Sequence, residues 1–202
     1  MIKAYGLNIK KGSNSKINEE FFDNIDSEEK AYLLGFFIAD GCMQKEEKKR
    51  DGKVYSYSYR FTINNSIDDL EIVKLFQKLI CPNKEIEFIN DQKGVNFRKE
   101  QARLRWTSKH MFETLESYNI HPRKTYDNEF FLPKIMSNDL LRHFVRGFFD
   151  GDGHKAQCEI KFVINSEKFL NQIAEFFKPF AHRINKIEGK TCIYYELYIT
   201  GG

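Results

Sequence analysis

The chain has 202 residues, enough for one large domain or two small ones. Its formal charge of +3 is nearly neutral, and nineteen Phe and ten Tyr supply ample material for a core. No apolar run approaches the roughly 20 residues that span a bilayer, and Met1-Ile2-Lys3-Ala4-Tyr5 has no signal-peptide core. The four cysteines, Cys42, Cys81, Cys158 and Cys192, are scattered without a C-x-x-C pair. They read as buried thiols of a reducing, cytoplasmic compartment, with neither a disulfide framework nor a zinc site indicated.

Residues 1–17 are expected to form a lead-in, with Lys10 to Ser15 its most flexible stretch. The first helix carries Leu33-Leu34-Gly35-Phe36-Phe37-Ile38-Ala39-Asp40-Gly41, in which Gly35 and Ala39 share a face because residues four apart are neighbours. A long, basic, Tyr-rich hairpin extension follows from Lys45 to Tyr59, carrying Lys45, Lys48, Lys49, Arg50 and Lys53. The strand Phe61-Thr62-Ile63-Asn64-Asn65-Ser66 ends in a Ser able to cap a helix over Ile67 to Ile80, which Pro82 terminates. A second hairpin closes on Arg103-Leu104-Arg105-Trp106-Thr107-Ser108, and a third helix runs from about Ser108 to Tyr118.

The same order then repeats. Val145-Arg146-Gly147-Phe148-Phe149-Asp150-Gly151-Asp152-Gly153 restates the helix phrase, with Gly147 and Gly151 on one face. Phe162-Val163-Ile164-Asn165-Ser166 restates the strand and its cap, and a helix over Glu167 to Lys178 stops at Pro179. The final strand is Glu196-Leu197-Tyr198-Ile199-Thr200-Gly201. The fold class is therefore α+β, with two pseudo-symmetric α-β-β-α-β-β(-α) halves over residues 18–125 and 126–202. Each half is expected to form a four-stranded antiparallel sheet with helices on one face, the second half lacking its last helix.

Period-2 alternation assigns the faces. Phe61, Ile63, Leu104 and Trp106 point toward the helices in the first half, as do Ile160, Phe162, Ile164, Leu197 and Ile199 in the second. Arg60, Arg103 and Arg105, and Lys161 and Tyr198, then lie on the open faces, with Glu196 a discordant acid. Aligning Phe61 with Phe162 makes Arg60 and Lys161 equivalent. Such cationic and aromatic faces suit the major groove of DNA. Lys45, Arg50, Lys53 and Lys155 add candidate DNA contacts at the hairpins.

Small residues at i and i+4 let helix backbones approach closely. If the two Gly-bearing helices pair, Asp40 and Asp152 meet at their C-terminal ends. There a carboxylate opposes the helix dipole and a second carboxylate adds repulsion. A divalent cation relieves both penalties.

The repeated phrase closely resembles the LAGLIDADG motif of homing endonucleases. Ile120-His121-Pro122-Arg123-Lys124-Thr125, then Leu132-Pro133, then Phe144 through Gly153 resembles the stretch joining the halves of two-motif, monomeric members. The likeness covers nearly all of residues 18–200. It implies that Asp40 and Asp152 are metal-binding catalytic acids using Mg²⁺ or another divalent cation such as Mn²⁺. The carbonyls of Ala39 and Gly151 are further candidate ligands, and Lys124 matches a lysine that reaches the family's active site. Double-strand cleavage across the minor groove, leaving short 3′ overhangs, is the implied reaction. The second half, either naturally short or C-terminally truncated, ends before a counterpart of Lys124 could appear, which leaves room for unequal cutting of the strands.

Asp150 is assigned a structural role, because its counterpart is the apolar Ile38. Two other readings share the fold: a DNA-binding regulator without cleavage, and a maturase that binds intron RNA. Retention of both Asp residues argues against the first. A free-standing or intron-encoded enzyme is expected, since no splicing nucleophile stands at residue 1 and no His-Asn pair closes the sequence.

Overall fold

The computed structural model describes residues 17–90, 100–122, 129–132, 134–155, 158–189 and 192–200. In the first half, α1 (Glu28–Asp40) leads into β1 (Cys42–Arg50) and β2 (Lys53–Ser66). A 3-10 turn over Ile67–Asp69 precedes α2 (Leu70–Ile80), followed by β3 (Glu87–Ile89), β4 (Gln101–Thr107) and α3 (Lys109–Ser117). The second half runs α4 (Asn138–Asp152), β5 (His154–Lys155), β6 (Glu159–Ile164), α5 (Glu167–Phe176), β7 (Ala181–Glu188) and β8 (Ile193–Thr200). The two four-stranded sheets have matching orders, β1-β2-β4-β3 and β5-β6-β8-β7, with every pairing antiparallel.

Serines cap three of the helices, Ser166 as the sequence suggests and Ser27 and Ser108 in addition. Ser27, Ser108 and Ser166 accept hydrogen bonds from the backbone N–H of Lys30, Met111 and Phe169, satisfying donors that the first turn leaves open. Ser66 caps the 3-10 turn instead, accepting from Asp68, so α2 proper begins three residues later than expected. At the tip of the first hairpin, Asp51 and Gly52 have φ of 51° and 78°. Both central residues at positive φ give the tight turn whose twist matches the flanking strands. This hairpin reaches far beyond its counterpart, because β5 has only 2 residues against the 9 of β1.

Aromatic side chains fill the space between sheets and helices. Phe61 stacks on Trp106 at 5.4 Å between ring centroids and meets Phe37 of α1 at 5.9 Å. In the second half Phe162 stacks on Phe148 of α4 at 6.1 Å, and Phe148 meets Phe169 at 5.0 Å. Every position assigned inward is buried, except Ile160 and Ile164, which are half-buried. The cysteine expectation needs correction. Cys81 is buried and Cys192 half-buried, but Cys42 and Cys158 are exposed. Cys42 pairs with Thr62, placing it on the sheet face away from the helices, and Cys158 lies just before β6, so neither reaches the core.

The halves join through α1 and α4, which run side by side in the same direction. A Cβ at Gly35 would sit 2.0 Å from the Phe144 carbonyl oxygen, and one at Gly147 would sit 2.0 Å from that of Tyr32. One turn on, a Cβ at Gly151 would lie 2.4 Å from the Ala39 Cβ. No side chain larger than hydrogen fits these crossing points at this separation.

Candidate nucleic-acid interface and paired carboxylates

Close approach of α1 and α4 places their last residues at one spot. The Asp40 carboxyl carbon lies 3.7 Å from where a Gly151 Cβ would be, immediately before Asp152. Asp152 in turn borders a cleft of about 290 Å³ shared with Ile38 and Ala39 of the opposite helix. Both Asp side chains are exposed. The glycine after each is also required by packing, since a Cβ at Gly41 or Gly153 would stand 2.2 Å from the ring of Phe37 or Phe149. Thus the Asp-Gly ending of the motif lets the chain turn out of the helix beneath an aromatic ring.

Beside Asp40 stands Asn65, which the sequence reading did not single out. Its Nδ2 donates to Asp40 Oδ2 at 3.0 Å, while its Oδ1 is buried with no hydrogen-bond partner. An unmatched buried acceptor beside a carboxylate is costly, and it suits an oxygen-seeking cation. Among the described residues no three His, Cys, Asp or Glu side chains converge. The candidate donors here are two carboxylates, an amide oxygen and nearby carbonyls. That fits Mg²⁺, which takes few protein ligands and keeps sites for water and phosphate oxygens, whereas Zn²⁺ would want nitrogen or sulfur. The second half is not identical here. Asn165 Nδ2 donates to the Ile193 carbonyl at 2.7 Å.

Asp150 has the structural position expected of it. Its carboxylate accepts from the Tyr32 hydroxyl at 2.9 Å, and Arg146 lies over the Tyr32 ring at 4.8 Å. This cluster ties α4 to α1. Burial first, then the Asp150 carboxylate, raises the Tyr32 pKa above the usual tyrosine range.

Each sheet's open face begins two residues past its aspartate. Cys42 pairs with Thr62 on one side and His154 with Lys161 on the other. Counted from the aspartates, Lys161 is level with Thr62, and Arg60 is level with Glu159. The sequence alignment on Phe61 and Phe162 is therefore two residues out of step with the ladders, which keeps the same faces but makes Arg60 and Lys161 inequivalent. Arg60, Arg103, Arg105, Lys161 and Tyr198 all lie on the open faces.

They do not stand alone there. Arg60 donates to Glu46 at 2.9 Å, Arg103 and Arg105 both donate to Glu87, and Lys161 donates to Glu196 at 3.1 Å. Tyr198 also donates to Glu196, at 2.6 Å, which answers the discordant acid. That hydrogen bond, followed by the one from Lys161, holds the Glu196 pKa below its ordinary value. Arg183, paired with Tyr198 across β7 and β8, joins this face and was missed because the sequence reading gave β7 no phase.

Lys45 and Lys155 lie on the other side. Lys45 pairs with Tyr59 and sits over the rings of Tyr57 and Tyr59 at 4.8 and 5.6 Å, and Tyr59 packs on Phe112. Lys155 pairs with Ile160, whose side chain faces the core. Alternation therefore turns both away from Arg60 and Lys161. Arg50 and Lys53 pair at the hairpin tip. Lys124 lies outside the described residues.

Residues 139–202 match a family model described as a LAGLIDADG-like domain. No curated protein matches by sequence. Among solved structures, I-DmoI in complex with DNA and Mn is similar over 86% of this chain and 89% of that chain, with 18% identity and a TM-score of 0.56. I-DmoI in complex with DNA and Ca matches over 86% and 83%, at 18% identity and 0.57. I-SmaMI bound to uncleaved DNA target with calcium ions matches over 85% and 79%, at 11% identity and 0.53. The fold is that of the LAGLIDADG homing endonucleases. Specifically, it is the single-chain arrangement in which one polypeptide supplies both units.

Proposed function

We propose that this chain is a site-specific endonuclease of double-stranded DNA, acting with Mg²⁺ or Mn²⁺ held by Asp40 and Asp152. The observation that carries the reading is the close approach of two Asp-terminated helices from separate halves, each leading into an open sheet bearing arginine or lysine. A bound divalent cation would lower the pKa of its water and take charge from the leaving oxygen. The chain's own groups do the rest. Asp40 and Asp152, with the Asn65 amide oxygen and the Ala39 and Gly151 carbonyls, fix the cation's place. Arg60, Arg103, Arg105, Lys161 and Tyr198 hold the duplex in register through base edges and phosphates. Lys124, which matches the family's active-site lysine, is assigned the stabilisation of charge developing on the scissile phosphate. One carboxylate per half gives each DNA strand its own acid, so both strands are cut.

Incubating the full chain and Mg²⁺ with plasmids carrying its flanking genomic DNA tests this reading. Cuts at one long site, abolished by Asp40→Asn or Asp152→Asn while binding persists, support it. Tight, salt-sensitive binding without cuts by the wild-type chain would identify a non-cleaving regulator instead.

A further inference from the structure

The open-face arginines share an arrangement that the cleavage reading does not use. Glu87 Oε2 accepts from Arg103 Nε and Nη2 at 3.0 and 2.6 Å, while its Oε1 accepts from Arg105 Nε and Nη2 at 3.2 and 2.7 Å. One carboxylate thus holds two guanidinium groups. In the other half Glu159 accepts from Nη1 and Nη2 of Arg183 at 2.8 and 3.3 Å, and that guanidinium lies over the Tyr198 ring at 4.2 Å. The Glu87 and Glu159 side chains are 41% and 29% exposed, so both pairs face solvent where a duplex would lie.

Exposed ion pairs contribute little to stability, so folding alone gives these acids no strong purpose. Their effect on a bound polyanion is larger. A phosphate approaching Arg103 or Arg105 meets a carboxylate already bonded there and is repelled by it. A guanine edge, by contrast, offers neutral acceptors to a guanidinium. Glu87 occupies two of the five N–H groups of each arginine, leaving three for base contacts.

We infer that Glu87, with Glu159 in the second half, is a specificity-determining residue that suppresses sequence-independent attraction to phosphates while holding the arginine forks for base edges. It is a positioning residue, acting through Arg103 and Arg105, and the inference rests on the DNA reading above. The Glu87 pKa, lowered first by Arg103 and then by Arg105, keeps its charge in place at neutral pH.

The test is fluorescence anisotropy of a labelled duplex of mixed sequence, titrated with the full chain across a range of salt. Glu87→Gln should tighten binding roughly threefold or more at low salt, and steepen the log–log salt slope by about 1 to 2, because up to two more phosphates are neutralised. Glu87→Asp keeps the charge and should stay near wild type, a rescue that a merely structural role would not predict. Should Glu87→Gln fail to melt as a folded protein, Glu159→Gln carries the test, with a slope change of about 1. Wild-type binding that depends on salt, with glutamine variants equal or weaker, overturns the inference alone. Wild-type protein with no salt-sensitive binding at all overturns the DNA reading itself.

Discussion

Asn65 donates its amide to the Asp40 carboxylate at 3.0 Å and leaves its own carbonyl oxygen buried and unmatched. A side chain optimised for stability alone would not be left this way, since an orphaned buried acceptor costs about 1–3 kcal/mol. Replacing Asn65 with Ala should therefore leave the melting temperature unchanged or raise it slightly, while slowing Mg²⁺-dependent cleavage at least tenfold. Thermal unfolding paired with single-turnover cleavage would show the opposed effects. A fall in both would mean that Asn65 is an ordinary structural residue.

Gly147 lies where α4 crosses α1, and an added Cβ would stand 2.0 Å from the Tyr32 carbonyl oxygen. Backbone cannot yield there as a flexible side chain could. Gly147→Ala should cost about 3 kcal/mol by overpacking the helix pair, visible in urea unfolding. Gly52→Ala is the control. Its φ of 78° strains an alanine, but nothing lies within 4 Å, so about 1 kcal/mol is expected.

Asp150 sits two residues from a proposed catalytic acid, yet its geometry joins it to Tyr32 on the other helix. Tyr32→Phe and Asp150→Asn should each lower stability by about 1 kcal/mol at this exposed position. Their double mutant should cost much less than the sum, and all three variants should still cut DNA. Loss of cleavage in Asp150→Asn with Tyr32→Phe fully active would place Asp150 in the reaction.

His110 on α3 bonds Asp23 in the segment preceding α1, at 2.8 Å to both carboxylate oxygens. That hydrogen bond, reinforced by the Asp23 charge, raises the His110 pKa above its ordinary value. The folded state therefore binds the proton more tightly than the unfolded chain. Its stabilisation is fully present below the unfolded value of about 6.5 and is lost as pH rises through the higher folded value. The melting-temperature difference between wild type and His110→Gln should accordingly be largest near pH 5.5 and shrink toward pH 8.5. A pH-independent difference would remove the charge from this account.

Much of the architecture was legible because it is written locally. Alternation placed Phe61, Ile63, Leu104 and Trp106 inward, and all four are buried. The cap at Ser166 marked the start of α5, and the third helix was placed from about Ser108. The small residues at 35, 39, 147 and 151 named the contact face of α1 and α4. Asn65 was also within reach, since it continues the inward phase of Phe61 and Ile63 as a polar residue. Lys45 and Lys155 were read by their basic character alone, without their phase on the hairpins, which places them on the side away from Arg60 and Lys161. Lys45 follows the phase of Met43, and Lys155 is opposite Ile160.

What the chain's order of residues determined by itself is the repeat, the element types and the presence of two acids at equivalent helix ends. Periodicity, caps and steric allowances act over a few residues and can be read one segment at a time. Which side chains meet was decided only by the folded molecule. Glu87 reaches Arg103 through the pairing of β3 with β4, and Asp40 lies beside Gly151 through the crossing of α1 with α4. Strand register and helix crossing come from packing between segments distant in the chain, and that packing sets the partners each charged group has.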